Sequence, residues 1–550
     1  MKERFNFKVL LFLSLVFILV ACGGSDDESG GAAANGDSNG HDVNVDGWPI
    51  VNEVITMSMM APGTGIIPWE EMPVFTYLNE ATHIHFTFQT PPLADFGTSL
   101  NLALASGDVA DIILGAGGDH LSRAMEIEFG SAGILLPLED LIENYAPNLS
   151  ALLEAYPEIR RNITAPDGHI YSLPSIVRNT TALWPNGPLW YNGAWLEALD
   201  AEVPSTVDEF FDLMVRFRDE EPAGPGVQTF PISNGDQMRW MRQYFAAAFG
   251  MTSTPDVGIE VVDGIVRHNA TTDNYRAYLE WMAMLHAEEI LHPESFTMSS
   301  EAHRALVGDN QVGLFQDWFS FFSLGQTEEE ALNHPMFRPL TSEFSPTPVL
   351  PAGSGITTGV FALTANNPNP AAAMRWVDYF YSPEGSAFIG QGPEGYFWEY
   401  QATDEGLYVR VFAPDVDLGD TESTRGRITP DFGIPVPILV LDHPPIRTTV
   451  NDEPDMRFRD FIDSQTQATF VAYGNVAFPP AGLTLEEADR VSVITSDLET
   501  FLTESEARFI AGLDPINDET WAAFQATLAG MNIQELIEIY QDVFDRWASN

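Results

Sequence analysis

Residues 97–116 read "GTSLNLALASGDVADIILGA", and the fold class turns on this stretch. Its first half, "GTSLNLALASG" (97–107), reads as a helix, and "ADIILGA" (110–116) reads as a strand. The same alternation continues upstream. "VITMSMM" (54–60) reads as a first strand, "WEEMPVFTYLNEATHI" (69–84) as a helix and "HFTFQT" (85–90) as a second strand. Short apolar runs alternating with amphipathic helical segments predict an α/β fold.

At 550 residues the chain accommodates about two to four domain-sized units, at ~150 residues each. A hydrophobic fraction of 45% and an aromatic fraction of 11% suit a folded globular body. One cysteine allows no intramolecular disulfide, so the fold relies on packing. The charge balance is extreme, with 79 acidic against 25 basic residues and a net charge of −54. Both lysines, Lys2 and Lys8, lie at the start, so arginine is the only permanent cation beyond them. Such a surface repels nucleic acid and anionic headgroups, which excludes nucleic-acid partners. It fits an exported surface adapted to high salt or high pH, because salt screens self-repulsion.

Lys2, Arg4 and Lys8 precede an apolar run, "VLLFLSLVFILV" (9–20). That run falls short of the ~20 residues a bilayer span needs and suits a signal-peptide core. Leu19-Val20-Ala21-Cys22 resembles the bacterial lipobox. The resemblance implies removal of residues 1–21 and diacylglycerol attachment at Cys22. Residues 22–48 are rich in Gly, Ser, Asn and Asp and read as a flexible tether. No later segment has 18 consecutive apolar residues, so a soluble body starting near Trp48 is expected to hang from the extracytoplasmic membrane face.

Three capping boxes are expected, at Thr206/Glu209, Thr484/Glu487 and Asn532/Glu535. In the last helix Leu536, Tyr540, Val543, Phe544 and Trp547 recur at three- and four-residue spacing, giving one buried face. The last hundred residues read as mostly helix.

Further segments carry a family likeness. "LALASGDVADIIL" (102–114), "GILLPLEDLIENYAPNL" (133–149) and "APDGHIYSLPS" (165–175) occur in order. "LWYNGAWLEALDAEVPSTVDEFFDLMVRF" (189–217), "FALTANNPNPAAAMRWVDYFYSPEGS" (361–386) and "GPEGYFWEY" (392–400) follow. Together with the C-terminal "FIAGLDPIN" segment they span nearly all of the chain from about residue 50. The set resembles the extracellular solute-binding lipoproteins of ABC importers, family 1, in their long carbohydrate-binding form. The resemblance implies a type II periplasmic-binding-protein fold, with two α/β lobes around a ligand cleft, hinge closure and a permease partner. On that pattern residues 49–175 form lobe 1, completed by about 359–445, and residues 176–358 form lobe 2, completed by about 446–550. A monomer without cofactor is expected. Long members carry an Asp/Asn/Gly-rich calcium loop where this chain has "EEPAGPGVQTFPI" (220–232). Ala223, Pro225, Thr229 and Phe230 stand at ligand positions, so the calcium site is expected to be lost.

A sugar site needs aromatic platforms and a few fixed hydrogen-bonding groups. Trp195, Trp281, Trp376, Trp521 and Trp547 sit in helical patterns and read as core, and Trp48 sits at the tether's edge. Trp69, Trp184, Trp190, Trp240, Trp318 and Trp398 lie at strand ends or loops, where core packing competes with stacking. "GLFQDWF" (313–319) resembles the strand that delivers a stacking Trp in the related maltose-binding protein, which favours Trp318 and Asp317. Tyr396 and Trp398 follow a Gly-Pro-Glu-Gly turn. Arg239 stands beside Trp240, and Asp119 lies in the loop after the third strand. The candidate ligand residues are therefore Trp69, Asp119, Trp184, Arg239, Trp240, Asp317, Trp318, Tyr396 and Trp398. Core, ion-pair and turn-capping roles stay open for each. The acidic bias argues against polyuronate ligands unless arginines gather at the cleft.

Nothing in the sequence points to catalysis. Carboxylate pairs are uninformative among 79 acidic residues, Ser106 is not in a G-x-S-x-G elbow, and H-E-x-x-H is absent. "GAGGD" (115–119) lacks the Lys-Ser/Thr of a phosphate loop. The expected function is carbohydrate binding for an ABC importer, with no reaction of its own. A receptor for a peptide or other polar solute, or a surface polysaccharide-degrading enzyme, remains the alternative. Cys22→Ser is expected to release intact protein into the medium, read by immunoblot of medium and membranes.

Overall fold

The computed structural model describes residues 43–549, apart from 236–237, 255–256, 419 and 453–455. The expected signal peptide, Cys22 and most of the expected tether lie outside the described residues. No described helix is long and apolar enough to cross a membrane.

Along the chain, β1 (Ile55–Met60), β2 (Ile84–Gln89), β3 (Ile112–Leu114) and β4 (Leu173–Val177) come first. Short β5 (Leu189–Tyr191) and β6 (Phe230–Ile232) follow, then a hairpin of β7 (Ile259–Val262) and β8 (Ile265–His268). Next are β9 (Val312–Gln316), β10 (Leu350–Pro351) and β11 (Ile356–Leu363). A second hairpin, β12 (Trp398–Ala402) and β13 (Tyr408–Phe412), precedes β14 (Ile438–Val440) and β15 (Gly474–Asn475).

Six strands form one sheet in the order β14-β4-β11-β3-β1-β2. All run parallel except β11, which is antiparallel to β3 and β4. Register explains why these strands are apolar on both faces. Met59 pairs with Ile112, and Met60 with Ile113. Ile55, Met57, Met59, Ile112 and Leu114 bury one face, and Met60, Ile113 and Ala362 the other. A parallel sheet covered by helices on both sides requires this. Phe96, Leu100 and Leu104 of the helix Phe96–Ser106 cover the second face. Gly107, at φ 74°, ends that helix and turns the chain into β3.

A second sheet, β5-β9-β6, stands in its own core. β9 is parallel to β6 and antiparallel to β5. The first core gathers residues from 50–176 and 356–441, and the second from 184–350 and 458–536. The chain therefore passes between the two cores three times, near residues 178–183, 352–355 and 442–457.

The C-terminal region is helical, over Arg457–Thr466, Leu485–Ile510, Asp518–Gly530 and Ile533–Ser549. Thr484 and Glu487 form the expected reciprocal box. At Thr206 only half of the box forms: the Glu209 carboxylate accepts from the Ser205 N–H and hydroxyl, one residue upstream. The Asn532/Glu535 expectation is corrected. Asn532 takes a left-handed φ of 63°, and the Glu535 carboxylate is held by Arg490 instead. Charge pairing outcompetes the cap there.

Inside the second core the Arg242 guanidinium lies 2.7 Å from the Glu506 carboxylate. Tyr278 and Tyr275 donate to the same carboxylate at 2.9 and 3.2 Å. Three helices are thereby tied at one charged point. Removing one partner of a buried pair leaves the other uncompensated, at about 3–5 kcal/mol. Glu506→Ala is expected to lower unfolding free energy by about that amount in urea titration.

Candidate functional site

The three crossings share one place on the fold. β4 and β14 leave the large sheet at their carboxyl ends, and β11 enters at the same edge. Loops 61–68 and 115–122, after β1 and β3, lie along it. Ligands of open α/β sheets bind outside the carboxyl ends of the strands. In the second core, the carboxyl ends of β6 and β9 and the start of β5 form the corresponding edge, where the first crossing arrives at Trp184.

That edge assembles several of the expected residues. Asp317 and Trp318 follow β9 directly. Trp318 is 46% exposed, and its ring centroid lies 6.4 Å from that of Trp184. Trp184 is buried, with its Nε1 donating to Thr466 Oγ1 at 3.2 Å. The Asp317 carboxylate accepts from the Trp318 N–H at 2.7 Å and from the Ser323 hydroxyl. Burial pushes this carboxyl above its usual range, while the Ser323 and Trp318 bonds oppose the shift. Both Asp317 oxygens are thus engaged in holding the Trp318 loop, so Asp317 positions the platform. Gly187, at φ 84°, lets the incoming loop pass this corner. A Cβ there would sit 2.7 Å from the Asp317 carbonyl oxygen. The Gly187 carbonyl accepts from Tyr244 at 2.9 Å. Tyr244 and Trp240 lie four apart on the helix Arg239–Ala247, which places Trp240 one turn further along the same face. The Arg239 guanidinium lies 4.8 Å over the Trp240 ring.

Three other expected residues lie in the loop after β3 and beside the second hairpin, where Trp398 packs against a small cluster of Phe397, Ala413, Val416 and Ile428. Asp119 is exposed in the loop after β3. Tyr396 is exposed at the turn before β12, and Trp398 opens that strand. One face of the Trp398 ring is covered by Arg410, whose guanidinium is 4.0 Å from its centroid. Trp69 sits elsewhere, in the first core between Phe75 and Phe88 and 1% exposed, with no face to offer a ligand. Its neighbour Pro68 suggests a loop, but the short turn of helix at 69–71 drives the indole inward.

Sequence reasoning missed Phe322, 44% exposed and four residues beyond Trp318. In "WFSFF" it reads as one more core aromatic, and only the short helix Ser320–Leu324 turns it outward. It also missed Tyr400, Tyr408 and Arg410 on the second hairpin, since strand pairing alone brings them together.

Comparison with known proteins fits this geometry. The model of the bacterial extracellular solute-binding protein family matches residues 66–387. The chain belongs to this family. A relative from Streptococcus pneumoniae serotype 4, the fructooligosaccharide ABC transporter substrate-binding protein FusA, is 25% identical over 566 residues, covering 100% of this chain and 99% of its own. A solved S. pneumoniae structure, a FusA EF-hand mutant in complex with fructo-nystose, superposes with a TM-score of 0.73 at 24% identity, covering 90% of this chain and 100% of that one. An HMO-binding, ABC-transporter-associated solute-binding protein from Bifidobacterium longum infantis gives 0.70 at 18% identity, over 90% and 99%. The solute-binding chain therefore has the type II periplasmic-binding-protein fold, two α/β lobes around a cleft with a helical C-terminal region.

A calcium loop of the kind expected from the family resemblance does not fit residues 220–232. Glu220 is paired with Arg216 at 2.9 Å, and Phe230 starts β6 with its ring against His292. Ala223 and Pro225 offer no side-chain oxygen, whereas calcium takes about six to eight oxygens. Among the described residues no group of three or more His, Cys, Asp or Glu is gathered for a metal. EDTA is expected to shift the melting temperature by less than about 1 °C, since a bound ion would stabilise the folded state by mass action.

Proposed function

We propose that this solute-binding protein is the lipid-anchored receptor of an ABC importer, holding an oligosaccharide between its lobes for delivery to a membrane permease. Cys22 carries the anchor on the extracytoplasmic face, and residues 22–48 form the leash. Lobe 1 comprises about 49–175 and 359–445, and lobe 2 about 176–358 and 446–550. The body works as a monomer and catalyses no reaction.

The observation that carries this reading is Trp318. A large aromatic left half in water is pinned by Asp317 at the edge where the crossings converge. Flat C–H faces of sugars stack on such a ring, and water is the only competitor it must displace. Phe322 extends the platform. Arg239, Trp240 and Asp119 supply hydrogen-bonding and stacking groups around it. The full-length likeness to a fructooligosaccharide receptor supports the ligand class. Selectivity then comes from polar groups left unpaired when the wrong sugar enters.

Fructo-oligosaccharides and other neutral oligosaccharides are expected to raise the melting temperature, with about 2.7 kcal/mol of stabilisation at a hundredfold excess over Kd. The ligand should be recovered unchanged, and shortened products would refute the reading. Trp318→Ala is expected to weaken binding by more than tenfold in calorimetry while the unliganded melting temperature stays put, because the ring is exposed.

A further inference from the structure

Two arginines are nearly sealed from solvent among the described residues, Arg242 at 3% exposed and Arg410 at 5%. Arg242 has Glu506. Among the described residues Arg410 has no carboxylate partner. Among those residues its Nε and Nη2 find no hydrogen-bond partner, and its Nη1 reaches only the Pro444 carbonyl at 3.5 Å. A buried charge without a counter-charge is costly, and an arginine cannot escape by losing its proton. In a chain with 79 acidic residues a carboxylate would be the easiest partner to supply. The nearby Asp442 is already committed to Arg459 at 2.8 Å.

The surroundings of Arg410 have the make-up of a sugar subsite. Pairing of β12 with β13 sets Tyr400 opposite Arg410, Ala402 opposite Tyr408 and Trp398 opposite Phe412. Trp398, Tyr400, Tyr408 and Arg410 therefore share one face of the hairpin. The opposite face turns Val411 inward. On the shared face Tyr400 is 50% and Tyr408 73% exposed. A guanidinium stacked on Trp398 thus backs a row of open aromatic rings.

We propose that this hairpin face is a subsite for a carboxylate-bearing sugar, a uronic or sialic acid unit of an oligosaccharide. The sugar ring stacks on Tyr400 and Tyr408, and the carboxylate takes the vacant fork of Arg410. The segment Asp442–Arg447 lies over the guanidinium, with the Arg447 N–H bonded to the Arg410 carbonyl at 2.9 Å. It belongs to the third crossing, so the cover shifts when the lobes move and opens the fork. This subsite rests on the reading of the chain as an oligosaccharide receptor and adds the charge of its ligand.

Calorimetry on the whole body with trigalacturonate, 3′-sialyllactose and the neutral 1-kestose tests it, using the natural sequence, Arg410→Gln and Tyr408→Ala. At least one acidic probe should bind the natural protein. Both variants should weaken that binding by at least tenfold and leave 1-kestose within twofold. If 1-kestose binds and neither acidic probe does, the subsite is refuted while the receptor reading stands. Equal loss for acidic and neutral probes in Arg410→Gln means that Arg410 only props Trp398, which also overturns the proposal. Undiminished acidic binding in Tyr408→Ala does the same, and this exposed position keeps the test open should Arg410→Gln fail to fold. If no probe binds the natural protein, the receptor reading falls and the subsite with it.

Discussion

The architecture depends on the three crossings being bonded to one another. The Gly353 N–H donates to the Leu183 carbonyl at 2.9 Å, which joins the second crossing to the first. The Val177 N–H donates to Gly355 at 2.8 Å, and the Ala352 N–H to Asn475 at 2.9 Å. The hydroxyl of Thr180 is bonded to the Asp463 carboxylate, beyond the third crossing. Two separately packed cores are therefore joined by a small hydrogen-bonded bundle. Each core is rigid because it is close-packed, so relative motion must concentrate where few apolar contacts bind. Gly355 marks this spot, with a φ of 69° and a virtual Cβ 2.9 Å from the Val177 carbonyl oxygen.

The extreme acidity shapes the rest. With arginine as the only strong cation of the body, its placement is an allocation problem. Several arginines pair with carboxylates in partly exposed positions, as in Arg425–Glu422 at 2.6 Å and Arg546–Glu487 at 2.7 Å. Such pairs add little stability singly, but each removes one like-charge contact from a crowded surface. Arg123 instead serves the interior. It holds the Glu126 carboxylate at 2.5 Å and caps the carbonyls of Asn162 and Ile163. Glu126 in turn accepts from Ser172, whose hydroxyl takes the Gly359 N–H. That chain of bonds supports the loop carrying Asp119 from beneath, since the Gly117 N–H donates to the Gly359 carbonyl.

Legibility in the sequence followed the range of the interactions. The strands and helices around residues 54–116 were readable because hydrophobic spacing is local and the sheet demands apolar runs. The Thr484 cap was readable for the same reason, as both partners lie within one turn. The Asn532 cap was not, because Arg490 is remote in sequence and wins Glu535. The exposure of Trp318 at a strand end was legible, whereas Trp69 looked alike in sequence but packs inward. The bonds of Asp317 were not legible, because Ser323 is brought round to it by the short helix after Trp318. Arg410 gave no signal at all. Only cross-strand register places it behind Trp398, and only burial exposes its missing partner.

The aromatic edge and the segments that join the two cores share residues. Trp184 ends the first crossing and donates to Thr466, at the end of the helix that follows the third. Directly after it, residues Gln467–Val471 form a π-helical turn that sets the Phe470 ring 6.4 Å from that of Trp184. Such turns store an extra residue in a helix and recur at functional sites. Just beyond it Gly474 pairs with Leu350 of β10, beside the second crossing. Trp184 therefore leans at once on Trp318 and on the segments that join the two cores. On the proposed reading, a ligand on Trp318 would press on Trp184, which packs against the segments joining the two cores. On that reading closure and recognition would be one packing event, and ligands that fill the platform poorly would lose both together.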